Sequence, residues 1–397
     1  MVSDRTILLT GGTGLLGSYL LRDLLQADVP LAIMARPTRR ESAAERVTTI
    51  VHGWEEAIGA TLPMPKLLVG DLARPRCGLN ESELGWVREH CGQVIHNAAS
   101  LTFRGVDRSA EPWQTNVGGT AAMLSLAEAT GIRHVHHVST AYVAGLRSGR
   151  VLEEELDVGQ AFGNDYERSK AEAEKLVRAA DHLETATIYR PSIIVGDSAT
   201  SYTSTYHGFY AALRLGHTLL TRVPIGSTSA RALLSLLGID PESQKNFVPV
   251  DWVSNLITRC IRTPAAWGRT FHVTHPEPLA MVSVATVIQE AVEAYSEAAP
   301  ADAPDACDEQ WFADHLRTQL DIYQRYFRTD PRFDRRQIEQ VAGDIACPIL
   351  DRETLLRMAK FAIAHNFGWF PPNAVRVGAG EHAANGRRPQ VSRLATR

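Results

Sequence analysis

The chain has 397 residues, 44% hydrophobic and 22% charged, an ordinary globular composition that excludes global disorder and collagen-like repeats. Lysine and arginine total 41 against 45 aspartate and glutamate, so the net charge of −4 supplies no overall basic field for nucleic acid. No apolar run approaches the roughly eighteen residues of a membrane-spanning helix. At roughly 150 residues per domain, the length predicts two or three domains. Met1-Val2-Ser3-Asp4-Arg5 reads as the approach to a first strand, not as a signal peptide. The 5 cysteines (Cys77, Cys91, Cys260, Cys307 and Cys347) are scattered, odd in number and without a Cys-x-x-Cys pair. Neither a disulfide framework nor a zinc site is expected, and a reducing cytoplasm suits them.

In chain order, strands are predicted at Thr6–Thr10, Leu31–Ala35, Lys66–Val69, Val94–His96, His134–Val138 and Thr185–Tyr189. Helical patterns fill most gaps, at Leu15–Gln26, Glu41–Ile58, Glu81–His90, Pro112–Thr130 and Asp165–Ala180. Short strands separated by long helices need crossover connections, hence a parallel sheet covered on both faces and a doubly wound α/β fold. The rhythm breaks after Arg190-Pro191. A polar, aromatic stretch (Ser198 to Tyr210) precedes a helix to about Leu220 and a short helix near Arg231–Leu237. Phe247-Val248-Pro249-Val250 reads as a strand entering a helix capped by Asp251, and Phe271-His272-Val273 as one more strand. Ala298–Asp308 reads as an exposed connector. Helical spacing returns at Phe312, Leu316, Leu320, Tyr323 and Phe327, and again from Leu355 to Ile363. The expected organisation is a dinucleotide-binding unit over 1–190, with sheet contributions from about 245–275. A smaller, mostly helical substrate region over 191–372 and a disordered tail over 373–397 complete it.

The first strand runs into Gly11-Gly12-Thr13-Gly14-Leu15-Leu16-Gly17. Glycines 11, 14 and 17 suit a tight turn, a close approach of backbone to a pyrophosphate and a close helix–sheet contact. The helix start then presents unpaired N–H groups to phosphate. After the second strand an acidic residue would grip the ribose of NAD; this chain has Arg36, followed by Arg39, Arg40 and Arg46. A guanidinium there takes a 2′-phosphate, so NADPH is expected, with Arg36 as the main contact. Asp71 is placed to accept from an adenine amino group. Tyr166 and Lys170 are spaced to share one helix face, and an ammonium beside a phenol is expected to lower the tyrosine pKa from about 10. The fifth strand ends in Ser139-Thr140, placing a hydroxyl where ligands of parallel sheets lie.

With these elements in order, the chain resembles an extended short-chain dehydrogenase/reductase from about Thr6 to Val253. Seven blocks carry the likeness: Thr10-Gly11-Gly12-Thr13-Gly14, Gly70-Asp71-Leu72, His96-Asn97-Ala98-Ala99, Asn116-Val117-Gly118-Gly119-Thr120, Ser139-Thr140-Ala141-Tyr142-Val143, Tyr166-Glu167-Arg168-Ser169-Lys170 and Tyr189-Arg190-Pro191-Ser192. The resemblance implies a Rossmann-type sheet, with Thr140, Tyr166 and Lys170 as the catalytic hydroxyl, acid and lysine. Lys170 would also bind the nicotinamide ribose. The cofactor would meet Gly11, Thr13, Gly14, Leu15, Gly17, Arg36, Asp71, Leu72, Asn97, Ala98, Ala99, Ser139, Pro191 and Ile193, while Asn116 would steady the sheet edge. Gly70-Asp71-Leu72-Ala73-Arg74-Pro75, Arg190-Pro191-Ser192-Ile193-Ile194-Val195-Gly196-Asp197-Ser198 and Phe247-Val248-Pro249-Val250-Asp251-Trp252-Val253 resemble the thioester-reductase and fatty acyl-CoA reductase (male-sterility-type) branch. That branch implies reduction of an acyl thioester, on CoA or a carrier protein, to an aldehyde or alcohol. The alternatives are oxidation of a sterol-like hydroxyl, epimerisation or dehydration of a nucleotide sugar, and a non-catalytic NADP(H) binder. Ala199-Thr200-Ser201-Tyr202 departs from the branch, which usually has a glycine soon after the Asp-Ser pair, and Asp330-Pro331-Arg332-Phe333-Asp334 matches no pattern in it. The superfamily also suggests a homodimer through the helices at Glu111–Thr130 and Asp165–Ala180.

His134, His136 and His137 alternate across a strand without a completing ligand, so hydrogen-bonded histidines are expected and no metal. His96 is expected to be structural. Tyr202, Tyr206, Phe209 and Tyr210 fit either an acyl pocket or the buried face of one helix. The Phe312–Phe327 stripe is expected to pack between domains.

Overall fold

Strands that are apolar on both faces need cover on both, and the chain supplies it with helices of two kinds. The computed structural model describes residues 5–222, 229–296 and 328–368. The strands of the first part are β1 (Thr6–Thr10), β2 (Leu31–Ala35), β3 (Lys66–Val69), β4 (Cys91–His96), β5 (His134–Val138), β6 (Arg150–Val151) and β7 (Thr185–Pro191). They are followed by β8 (Ile193–Val195), β9 (Gln244–Lys245), β10 (Phe247–Pro249), β11 (Thr270–Val273), β12 (Leu279–Ala280) and β13 (Arg332–Phe333). The helices are α1 (Leu15–Gln26), α2 (Ala43–Ile58), α3 (Glu81–His90), α4 (Gly119–Thr130), α5 (Asp165–Arg178) and α6 (Phe209–Arg222). Then come α7 (Ala230–Leu236), α8 (Val250–Ile261), α9 (Met281–Tyr295), α10 (Arg336–Ala342) and α11 (Arg352–Ala364).

Seven strands form one parallel sheet in the order β11-β7-β5-β4-β1-β2-β3, a doubly wound Rossmann-type fold. Alternation along β1 sends Ile7 and Leu9 to one face, against α1, α2, α8 and α10, and Leu8 to the other, against α3, α4 and α5. The chain leaves β1 toward β2 on one side and returns to β4 on the other. That reversal opens a crevice at the carboxyl ends of β1 and β4, where ligands of such sheets bind. A separate core gathers Ile193, Val195, Phe209, Phe247, Val284 and Met358 from β8, α6, β10, α9 and α11. Among the described residues no helix is long and apolar enough to cross a membrane.

Local chemistry shifts several predicted boundaries. Ser42 caps α2, accepting from the Glu45 N–H at 3.1 Å while the Glu45 carboxylate accepts from the Ser42 N–H at 2.7 Å. That reciprocal pair starts the helix at Ala43, not Glu41. The stretch predicted as one helix from Pro112 begins instead with a π turn over Gln114–Gly118 before α4. Asp251 is not the cap of α8; Pro249 is, and the Asp251 carboxylate accepts from the N–H and Oγ of Ser198 at 2.9 and 2.6 Å. The connector Ala298–Asp308, the stripe Phe312–Phe327 and the tail 373–397 lie outside the described residues.

Candidate active site

Gly11 follows β1 with φ +71°, and a Cβ on it would stand 2.6 Å from the backbone nitrogen of Ala98. Only glycine fits so close to the next strand's exit. A Cβ on Gly17 would collide with the Gly11 carbonyl oxygen, which places α1 directly beneath the turn. Gly14 caps α1 without any side-chain bond, leaving the first-turn N–H groups open. These groups face a cavity of about 850 Å³. Of the residues the resemblance assigns to cofactor, all but Gly17 line it; Gly17 acts through packing.

The walls are braced from below. His96, 1% exposed, bridges the hydroxyls of Thr10 at 2.9 Å and Thr120 at 3.1 Å, and burial pulls its pKa down to about 3, so it is a neutral strut. Asn97 donates to the Gly11 carbonyl at 3.2 Å. Asn116, inside the π turn, accepts from the Ser100 N–H at 2.8 Å and donates to the Ser100 carbonyl at 3.0 Å and to Ser169 Oγ at 2.9 Å. One side chain thereby ties the loop after β4 to α5.

At the cavity rim, Arg36 is exposed and is one of the lining residues. Arg46 reaches the same rim from α2. Its Nη2 donates to Thr13 Oγ1 at 2.7 Å and its Nη1 to the Arg36 carbonyl at 2.8 Å. The sequence showed Arg46 as one of several basic residues but not this link to the glycine turn.

Thr140, Tyr166 and Lys170 line the same cavity. Thr140 Oγ1 donates to the Pro191 carbonyl at 3.4 Å and accepts from the Tyr142 N–H at 3.3 Å. Lys170 is 2% exposed and its Nζ donates to the Val138 carbonyl at 2.7 Å. Burial brings its pKa down to about 8, with Glu174 pulling the other way. Tyr166 departs from expectation: its phenol is pushed up to about 12, not lowered. Burial outweighs the hydrogen-bonded contact with Thr140, and the Glu167 charge adds to the rise, while the Lys170 ammonium is engaged with the strand carbonyl. Glu167, also on the cavity wall, is itself raised to about 7 by burial, against the hydrogen bond from Gly163.

Tyr142 lines the cavity too, and its hydroxyl donates to Asp330 at 3.0 Å. Lys245 pairs with the same carboxylate at 2.5 Å. The Asp330–Asp334 stretch that matched no pattern thus supports the cavity wall. The aromatic group is nearer the second reading: Phe209 and Tyr210 form a buried face of α6, while Tyr202 and Tyr206 pack from the segment before it. Tyr206 stacks edge-on against Tyr210 and Phe367, and Tyr202 against Phe361, so they pack α6 and the segment before it onto α11. None of Tyr202, Tyr206, Phe209 and Tyr210 is among the lining residues. Of the strand histidines, His136 bridges Tyr189 and Gln93 at 3.0 and 3.1 Å, but both ring nitrogens of buried His137 lack a hydrogen-bond partner, contrary to expectation.

Residues 9–257 match the model of a known family, described as male sterility protein. The chain belongs to that family. Among relatives and solved structures, the terminal R domain of the myxalamid PKS-NRPS pathway has 26% identity and a TM-score of 0.71, covering 93% of each chain. A linear gramicidin synthase subunit of Brevibacillus parabrevis is 30% identical over 68% of this chain and 5% of its own length. The L-2-aminoadipate reductase large subunit of Penicillium chrysogenum is 29% identical over 70% of this chain and 20% of its own length. This male sterility family chain therefore spans a fifth or less of these two relatives. The family match and the cavity together make it an oxidoreductase of the extended short-chain type with a nicotinamide-cofactor site.

Proposed function

We propose that the protein reduces an acyl thioester, carried on CoA or a carrier protein, with NADPH as the reductant. One observation carries the reading: Thr140, Tyr166 and Lys170 line the same cavity as the open glycine turn and Arg36. The cradle fits a dinucleotide, since the N–H groups at the start of α1 have no cap and Gly11 admits no side chain. Residues Gly11 to Leu15 would hold the pyrophosphate, Asp71 and Leu72 the adenine end, and Arg36 with Arg46 a 2′-phosphate. Asn97, Ala98, Ala99, Ser139, Pro191 and Ile193 would line the remainder. When bound, NADPH supplies the hydride.

The chain's own groups handle the oxygen. Thr140 and Tyr166 offer hydroxyls to the thioester carbonyl, and both contacts strengthen as negative charge gathers there. A phenol at about 12 keeps its proton at neutral pH, which suits Tyr166 as the acid and not as a standing phenolate. Lys170 holds the ribose hydroxyls and adds positive charge beside the reacting carbon. Collapse of the protonated hemithioacetal expels the thiol and leaves an aldehyde; a second round gives the alcohol. The region around α6, α7, α9 and α11 would seat the acyl group. Among the relatives, the L-2-aminoadipate reductase supports a reductase reading by its name.

The test is NADPH consumption across acyl-CoAs, carrier-bound acyl groups, steroids and nucleotide sugars. Turnover with a thioester is expected, and turnover confined to a sugar nucleotide or steroid overturns the reading. Tyr166→Phe is expected to lose about 10²–10⁴-fold in turnover with NADPH affinity nearly unchanged. A variant that keeps most of its rate removes Tyr166 from the role of acid.

A further inference from the structure

Arg190 belongs to one of the sequence blocks that carry the resemblance, yet it takes no part in the reduction chemistry. It leads the fully buried side chains in size, at 0% exposure. Its Nη2 and Nε donate to Glu174 Oε1 and Oε2 at 2.7 and 3.1 Å. Its Nη2 also donates to the Glu155 carbonyl at 2.8 Å, and its Nη1 to the Glu153 carbonyl at 3.3 Å and to His272 Nε2 at 3.3 Å. His272 Nδ1 stands 2.9 Å from the Asp334 carbonyl, so that nitrogen carries the proton and Nε2 is free to accept. Glu174, also fully buried, takes two further bonds from Arg178, Nε at 3.0 Å and Nη2 at 2.8 Å. A buried pair of this kind is often no more stabilising than apolar packing of equal volume. Its position gives it another use. Glu174 follows Lys170 by one turn of α5, on the side that faces the sheet.

We propose that Glu174 is a positioning residue for Lys170: its carboxylate, fixed by Arg190, is the counter-charge that keeps the lysine an ammonium beside the cofactor. The inference rests on the reading of Lys170 as the group that holds the nicotinamide ribose. Other titratable groups near Lys170 do not serve. His96 on β4 and His137 on β5 are neutral, pulled down by burial and then by Lys170 itself. Tyr166, on the same helix, keeps its proton at neutral pH. Glu174 is the anion that acts on Lys170, opposing the burial that brings it to about 8. Burial opposes the ionisation of Glu174 as well, but Arg190 on β7 and Arg178 on α5 hold its carboxyl below the ordinary value. Behind Arg190, His272 on β11 is brought to about 3 by burial and by Arg190, so the partner facing the guanidinium from β11 is uncharged.

The experiment follows NADPH affinity against pH by nicotinamide fluorescence, using the full chain. Affinity is expected to fall as Lys170 loses its proton on the alkaline side. Glu174→Gln moves that limb to lower pH by about one unit, since residues four apart on a helix have Cβ atoms about 5–6 Å apart and an opposite charge at that range is worth that much or more. Arg178→Met moves it the other way, because it leaves the Glu174 carboxylate less neutralised. A purely structural role for the cluster predicts weaker binding or lower yield with the limb fixed. Arg178 is a third exposed, so its variant decides the matter even where Glu174→Gln does not fold. A wild-type protein that binds NADPH and two variants with an unmoved limb overturn this inference alone. A wild-type protein with no affinity for NADPH overturns the cofactor reading and this inference with it.

Discussion

Replacing Arg36 by alanine is expected to separate the two nicotinamide cofactors. Arg36 is exposed at the cavity rim, so the contact proposed for it with a 2′-phosphate would be a screened one, made with NADPH and missing with NADH. A charge-assisted contact at such a site is worth about tenfold in affinity, between the range for exposed ion pairs and that for hydrogen bonds to charged groups. The NADPH dissociation constant should therefore rise about tenfold while that of NADH changes less than about twofold. The gap should narrow in high salt, because the screening length falls to a few ångströms. Arg46→Ala is expected to differ. Its guanidinium ties Thr13 and the Arg36 carbonyl together, so its loss loosens the glycine turn and weakens both cofactors, NADPH more than NADH. Fluorescence titrations of both cofactors at low and high salt make the comparison. An equal rise for NADPH and NADH in Arg36→Ala refutes the 2′-phosphate assignment.

Three further substitutions probe the frame. Gly11→Ala forces a left-handed residue, at a cost of about 1–2 kcal/mol, and sets a methyl against the Ala98 backbone; thermal unfolding should drop and NADPH binding disappear. Unchanged binding would mean that the turn does not carry the pyrophosphate. Asn116→Ala strips the two hydrogen bonds to the Ser100 backbone and the one to Ser169 and should cost about 2–3 kcal/mol in denaturant unfolding; a loss below about 0.5 kcal/mol shows the brace to be idle. His137→Leu tests the acid side. Buried imidazoles have folded-state pKa values below their unfolded ones, so the unfolded chain takes up protons first and stability falls as pH drops below about 6.5. Removing His137 should lessen that slope by up to about 1.4 kcal/mol per pH unit as the pH falls below about 6. An unaltered slope means that His137 is charged in the fold.

Much of the site was legible because its signals are local. A glycine turn leaving a first strand, and a tyrosine and lysine one helical turn apart, keep their meaning wherever the strand and helix form. The sheet was legible for a related reason: runs such as Leu31–Ala35 are buried along their whole length and leave no second reading. What escaped was set by partners distant in sequence. Arg46 reaches Thr13 across 33 residues, and Tyr142 reaches Asp330 across 188. The direction of the Tyr166 shift escaped as well, since helix spacing brings the lysine near without saying that its ammonium turns to the Val138 carbonyl. Nor does strand alternation reveal that one histidine finds partners and its neighbour none.

The arrangement of buried charge explains why the segment at Asp330–Asp334 stays close to a site formed mostly from the first half of the chain. Asp330 accepts from Tyr142, Lys245 and the Asn246 N–H, and so joins the cavity wall to the strand β9. β13 pairs with β6, and Asp334 accepts from Arg150 and Arg336 at 2.8 Å each. Its carbonyl stands against His272, which in turn accepts from the arginine that fixes Glu174. The Asp330 carboxylate and the Asp334 backbone carbonyl therefore reach the cavity wall by separate routes, one through Tyr142 and one through His272, Arg190 and Glu174. Removing Asp330 would strand the buried Lys245 ammonium at a cost of several kcal/mol, since both side chains of that pair are buried. The later segment is thereby held in register with Thr140 and Lys170 by electrostatics, where β13 contributes only two residues of strand pairing.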